Sequence, residues 1–175
     1  FNCVSSRSGL SGIHLTQKYK FQSATTDLNM IFADKTTDAV VIATRHDSHA
    51  SLILRALKSK KHVFVEKPLC LNLTELLAIK KTYTKICKSS SFVPILMVGF
   101  NRRFSPQIQK TKQLLINAKG PKSITMTINS GFIPKEHWTQ DPKIGGGRLI
   151  GEACHFVDLL RYLADSPIKK ISLNN

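Results

Sequence analysis

Asp38-Ala-Val-Val-Ile-Ala43 is a short β-branched run without polar alternation, the pattern of a strand covered on both faces in a parallel sheet. Downstream of it, Ser48 to Lys60 carries Leu52, Ile53, Leu54, Ala56 and Leu57, which predicts a helix lying on that sheet. His62-Val-Phe-Val65 reads as strand again. A second helix is expected from about Leu73, with Asn72 as N-cap and Glu75 at the capping-box spacing, and with Leu76, Leu77, Ile79 and Tyr83 on its apolar face. Ile95 to Phe100 supplies a third strand. Strand, helix, strand, helix, strand at this spacing implies right-handed crossovers in a parallel sheet, which binds ligands at the carboxyl ends of its strands. The loops at those ends are Thr44 to His49, Glu66 to Pro68 and Asn101 to Phe104, and all three are polar or charged. Upstream, Phe1 to Ser6 reads as the tail of a further strand.

From Ser105 the character changes. A basic helix, Gln107 to Ala118, leads through Gly120-Pro121 to an alternating stretch, Ser123 to Ser130, with Ile124, Met126 and Ile128 on one face. That alternation predicts the opening strand of a half-solvated sheet in an α+β domain. A loop rich in Pro, His, Trp and Asp follows, then Gly145-Gly146-Gly147 and an apolar helix from about Leu149 to Leu163. There is no internal repeat and no low-complexity segment.

The chain has 175 residues, of which 42% are hydrophobic, enough for one globular domain or parts of two without cross-links. Its formal net charge of +15 invites a nucleic-acid reading. The cations Lys58, Lys60, Lys61, Lys80, Lys81, Lys85, Lys88, Lys110 and Lys112 instead lie along predicted helix surfaces, with no aromatic platform or recognition helix, so a solvated basic face is expected and no nucleic-acid partner. Cys3, Cys70, Cys87 and Cys154 are scattered, which predicts free thiols. His46 and His49 have no third nearby ligand, so no metal is expected. The longest apolar run, Phe92 to Phe100, is broken by Pro94 and too short to span a bilayer, so a cytoplasmic protein without membrane contact is expected. No G-x-G-x-x-G occurs, which by itself argues against a dinucleotide site.

Three further motifs change that balance: Val65-Glu-Lys-Pro-Leu69, Val98-Gly-Phe-Asn-Arg-Arg-Phe-Ser-Pro106, and Gly145-Gly-Gly-Arg-Leu-Ile-Gly-Glu-Ala-Cys-His-Phe-Val-Asp158. In this order, with Asp38 to Thr44 and His49, they resemble the Gfo/Idh/MocA oxidoreductases, named for glucose-fructose oxidoreductase and inositol dehydrogenase. The resemblance implies an α/β fold: a partial Rossmann domain with a doubly wound parallel sheet over residues 1–104, then the start of an α+β substrate and dimerisation domain over 105–175. It implies that the glycine fingerprint lies just before Phe1, that the sheet of the second domain continues beyond Asn175, and that the protein forms a homo-oligomer through that sheet.

The same resemblance assigns residues. Lys67 matches the lysine that contacts the substrate hydroxyl and the cofactor and assists proton removal; Pro68 after it keeps the backbone extended. The plain alternative is a surface lysine before a turn. His155 matches a histidine that works beside the lysine as proton acceptor or substrate anchor, the alternative being a satisfied core histidine. Glu152, His155 and Asp158 form an i, i+3, i+6 polar stripe expected to face one cavity, with Asp158 orienting or capping. Ala43, Thr44, Arg45, His49 and Glu66, with Lys67, match the lining of the cofactor's ribose and nicotinamide, although His49 is also placed to cap the next helix. Ser6 and Arg7 follow a strand where an NADP enzyme holds the 2′-phosphate. Arg102, His137 and Trp138 suit sugar contacts.

One position departs from the pattern. Many relatives carry an aspartate four residues before the histidine, where this chain has Gly151, and Glu152 beside it points about 100° away on a helix. The expectation is an enzyme using NAD or NADP to move a hydride to or from a secondary alcohol of a sugar, nucleotide sugar or cyclitol. The alternatives are a relative that uses bound NAD for elimination or glycoside cleavage without net redox change, and a non-catalytic dinucleotide-binding protein.

Overall fold

A computed structural model describes residues 1–174. In chain order the elements are β1 (Cys3–Ser5), α1 (Gly9–Tyr19), β2 (Ser23–Thr25), α2 (Leu28–Ala33), β3 (Ala39–Ile42), α3 (His49–Lys58), β4 (His62–Val65), α4 (Leu73–Ser89), β5 (Leu96–Val98), α5 (Pro106–Ile116) and α6 (Cys154–Ala164). Short 3₁₀ turns cover His46–Ser48, Asn101–Phe104 and Trp138–Gln140, and a π-helical turn, Leu149–Ala153, leads into α6. No helix among the described residues is long and apolar enough to cross a membrane.

The residues group into two compact units. The first contains residues 1–43, 50–65 and 74–97. In it β1 pairs with β2 in parallel, Val4 opposite Ala24, and β3 pairs with β4 in parallel, Val40 opposite Val63, with β5 completing the order β3-β4-β5. Parallel pairing follows from the helices that return the chain between strands. The core is built from Val40, Ile42, Ile53, Ala56, Leu57, Val63, Val65 and Ile79, all nearly excluded from solvent. Lys61 is buried as well, and its Nζ donates to the carbonyls of Asp34 (2.6 Å) and Thr37 (2.7 Å).

The expectation that β3 is covered on both faces is corrected here. Val40 and Ile42 are buried but Ala39 is exposed and Val41 is 70% exposed. β3 is the end strand of its sheet, and only one of its faces is packed. An unalternating apolar sequence does not distinguish a strand covered on both faces from one covered on a single face.

The second unit contains residues 44–49, 66–73 and 98 onward, so the loops that follow β3 and β4 group with the later part of the chain. Ser105 caps α5, accepting from the Ile108 N–H at 3.4 Å, and Pro106 opens the helix. α5 and α6 meet through Gln109, whose Nε2 donates to Tyr162 Oη at 3.1 Å, and Lys112, whose Nζ donates to the Tyr162 carbonyl at 2.7 Å. Leu159 and Leu163 are the buried apolar residues of α6. The strand expected over Ser123 to Ser130 is not formed: 121–134 carries no regular structure. The alternation survives in Ile124 and Met126, which are half-buried, but no neighbouring strand among the described residues offers a ladder, and an alternating segment alone has nothing to pair with.

Candidate active site

The loops after β3 and β4 and the turn entering α6 all belong to the second unit, and their side chains interlock. His49 is fully buried, and its ring spans the Pro68 carbonyl (Nδ1, 2.7 Å) and the Thr44 carbonyl (Nε2, 3.0 Å). It therefore ties the two loops together and also begins α3, which accounts for a histidine where a simple cap would have sufficed. Thr44 Oγ1 lies 2.6 Å from Ser48 Oγ. The Lys67–Pro68 peptide is cis, and Lys67 Nζ donates to the Gly151 carbonyl at 2.8 Å.

Glycine is needed at 151 because of close approach. A Cβ there would come within 2.9 Å of the Gly145 carbonyl oxygen and 3.3 Å of the His46 ring. The space an aspartate side chain would need is already taken, and the partner left to Lys67 is a backbone carbonyl. Gly145 packs against the backbone of Thr139, and Gly146 holds φ at +78°, so the triple-glycine loop presses closely on the Trp138 turn.

His46 was seen in the sequence only as half of an unlikely metal pair. It is buried, its Nδ1 is 2.8 Å from the Gly145 carbonyl, and its ring meets the edge of Trp138 at 4.9 Å between centroids. Arg45 lies over the other ring of this cluster, 5.6 Å from the Trp138 centroid. Burial pushes the His46 imidazole below its ordinary value, against the opposing effect of its bond to Gly145. The H-x-x-H spacing was the available signal, and it marked two packed structural histidines.

His155 is also buried, and its Nδ1 has no hydrogen-bond partner. It lines a cavity of about 540 Å³ with Asn101, Arg102, Phe104 and Ser105. Burial first, then the charges of Lys67 and Arg102, lower its basicity, with Glu66 and Asp158 opposing. Burial thus favours the neutral form of the imidazole.

The stripe of Glu152, His155 and Asp158 does not face one cavity. Glu152 sits in the π-helical turn and pairs with Arg148 (3.5 Å) and Ser130 Oγ (3.2 Å). Asp158 accepts two hydrogen bonds from Arg103, one of them from Nε at 2.6 Å. Six residues of α-helix end about 120° out of phase with the start, and the wider turn at 149–153 adds to the separation. Arg103, which the sequence reading passed over, is held by this bidentate pair and is raised in pKa by it.

Among the other expected site residues, Arg102 is exposed, with its guanidinium 4.5 Å from the Phe156 ring centroid. His137 is exposed and accepts from the Thr139 N–H, capping its own turn. Glu66 is half-buried. Ser6, Arg7 and Ala43 belong to the first unit, where the Ser6 N–H donates to the Thr25 carbonyl at 3.2 Å. Thr44, Arg45, Glu66 and Lys67 provide hydroxyl, cation, carboxylate and amine groups on adjoining loops. This donor set fits the ribose and nicotinamide half of a dinucleotide; the G-x-G-x-x-G pattern that would cradle its diphosphate does not occur in the 175 residues.

The family model for oxidoreductases with an NAD-binding Rossmann fold, Gfo/Idh/MocA, matches residues 2–89. The chain belongs to this family. It is 28% identical to a myo-inositol 2-dehydrogenase of Thermotoga maritima over 90% of its own length and 45% of the relative's. It is 32% identical to an NAD(+) scyllo-inositol 2-dehydrogenase of Bacillus subtilis over 81% of its length and 40% of that protein's. A levoglucosan dehydrogenase solved with NADH and levoglucosan superimposes with a TM-score of 0.76 at 25% identity, over 93% of this chain and 44% of that one. The Gfo/Idh/MocA chain described here thus spans under half the length of these relatives.

Proposed function

We propose that the protein is a nicotinamide-dependent oxidoreductase acting on a secondary alcohol of a sugar, nucleotide sugar or cyclitol. The observation that carries this reading is the placement of Lys67, its Nζ 2.8 Å from the Gly151 carbonyl in the turn that leads into α6, the helix on which His155 is buried with an unpartnered ring nitrogen. Bound nicotinamide supplies the hydride acceptor or donor. Lys67 takes the hydroxyl proton at Nζ or returns it, and the Gly151 carbonyl aims the amine while it does so. His155 offers a neutral imidazole to hold the substrate, and the bond from His49 to the Pro68 carbonyl keeps the Lys67 loop in position. In this reading residues 1–104 contribute the dinucleotide-binding half and 105–175 open the substrate domain. In this reading the cofactor is NAD or NADP, and Ser6 with Arg7 after β1 would meet the 2′-phosphate of the latter.

The family members named above act on inositols and levoglucosan, which supports a polyol substrate. Replacement Lys67→Met tests the assignment: turnover is expected to fall at least ~100-fold while NADH affinity changes little. Equal loss of both would remove Lys67 from the chemistry. Product formation without accumulation of reduced cofactor would move the reading to elimination or glycoside cleavage.

A further inference from the structure

A histidine that takes a proton from an alcohol needs its far ring nitrogen held: an acceptor there fixes the tautomer and steadies the imidazolium that forms. His155 has no such acceptor among the described residues. Nδ1 is buried without a hydrogen-bond partner, while the ring lines the cavity shared with Asn101, Arg102, Phe104 and Ser105, so Nε2 is the nitrogen it can present there. The carboxylates of the same stretch are engaged elsewhere. Glu152 pairs with Arg148 and accepts from Ser130 Oγ, and Asp158 is held by Arg103. Position 151, four residues before the histidine, is a glycine at which even a Cβ would meet the Gly145 carbonyl oxygen at 2.9 Å, so no side-chain acceptor fits there.

A proton on Nδ1 would be an N–H without an acceptor in a sealed space; among buried backbone groups, orphaned N–H is rarer than an under-satisfied acceptor, and the same preference applies to the ring. A second proton would make that N–H part of a buried cation. Both costs are avoided when the single ring proton sits on Nε2. We propose that His155 carries its proton on Nε2 and serves the reaction as a hydrogen-bond donor to the reacting oxygen of the substrate, not as a proton acceptor. The proposal rests on the oxidoreductase reading for the identity of that oxygen; the tautomer stands on the packing of the ring. Burial, which lowers the basicity of the imidazole, acts in the same direction. As the alcohol is oxidised, its hydroxyl proton passes to Lys67 Nζ and its carbon-bound hydride to the nicotinamide. The ring keeps its own proton throughout, and the Nε2–H bond strengthens as negative charge builds on the oxygen. Lys67 is then the one base of the site, and Gly151 is the reason that His155 is not a second.

The tautomer is read directly by nitrogen NMR of the protein carrying isotopically labelled histidine at neutral pH, the His155 ring being assigned by its absence from the spectrum of His155→Gln. An unprotonated, pyridine-like Nδ1 and a protonated, pyrrole-like Nε2 are expected. A proton on Nδ1, alone or with one on Nε2, would overturn the proposal whatever the turnover. Kinetics then separate donor from acceptor, with inositols and neutral sugars as substrates. His155→Gln puts an amide N–H near the place of Nε2 but has no basic nitrogen, and should keep turnover within roughly 10-fold of the native protein; His155→Leu, which removes the donor, should lose roughly 100- to 1,000-fold. Unchanged NADH affinity in both variants shows that they are folded. A Gln variant as slow as the Leu variant, or a Leu variant as fast as the native protein, would overturn the donor role and leave the oxidoreductase reading in place. An Nε2–H ring in a protein that turns over none of the substrates would leave the donor standing and remove that reading.

Discussion

Gly151→Ala adds one methyl group where the structure has no room. Its Cβ would stand 2.9 Å from the Gly145 carbonyl oxygen, a backbone atom that cannot swing aside, and 3.3 Å from the His46 ring. Relief requires moving either the triple-glycine loop or His46, whose Nδ1 is 2.8 Å from that same carbonyl. Overpacking of this kind costs about 1–3 kcal/mol, and loss of the His46 bond about 1 kcal/mol more, so the variant should be destabilised by roughly 2–4 kcal/mol. For a chain of this length the melting temperature should drop by roughly 5–12 °C, measured by circular dichroism. Gly151→Asp should be at least as damaging, and it should not raise turnover even though it adds a carboxylate beside Lys67. A Gly151→Ala variant within about 0.5 kcal/mol of the native protein, or a stable Gly151→Asp variant of higher activity, would refute the steric argument.

Both buried histidines of the site make stability depend on pH. Burial lowers the folded pKa of His46 and of His155 below the ordinary 6.5, so the unfolded chain binds protons first as pH falls; stability is full above about 6.5 and declines below it until the folded imidazoles also protonate. Denaturant melts from pH 8 to 5 should show this decline, and His46→Gln should flatten it; an unchanged profile in that variant would contradict the assignment. Trp138 is the sole tryptophan and touches the His46 ring edge, so its emission should report the same titration and lose it in His46→Gln. Asp158→Asn should cost about 1–3 kcal/mol, less than a deeply buried pair because the Arg103 side chain is 33% exposed, and a double-mutant cycle with Arg103→Gln should recover most of that as coupling.

Periodicity was enough to place α3 and β4, whose apolar residues are buried; α4 and α5 form where expected, but of the apolar face read on α4 only Ile79 is buried, with Leu76 and Leu77 exposed, and α5 buries no residue. Periodicity was not enough for residues 7–37, where α1, β2 and α2 went unread. α1 buries only Gly12, and α2 has no buried residue at all, so these helices present little apolar pattern. The stretch at 123–130 shows the opposite failure: strong alternation without a strand, since pairing depends on a partner that local sequence cannot supply. At the site, the motif around Lys67 was legible from its order relative to the other motifs. The partner of Lys67 was not, because a backbone carbonyl leaves no trace in side-chain identity. Nor was the dispersal of Glu152, His155 and Asp158, which depends on a π-helical turn that the apolar pattern of 149–163 does not reveal.

The most direct test of the central claim is absorbance at the reduced-nicotinamide band when the protein is given NAD or NADP with a panel of inositols, neutral sugars and sugar acids, beside the Lys67→Met variant. The account predicts reduction with at least one of these substrates and its loss in the variant. No reduction with any of them despite cofactor binding, or reduction undiminished by Lys67→Met, would contradict it.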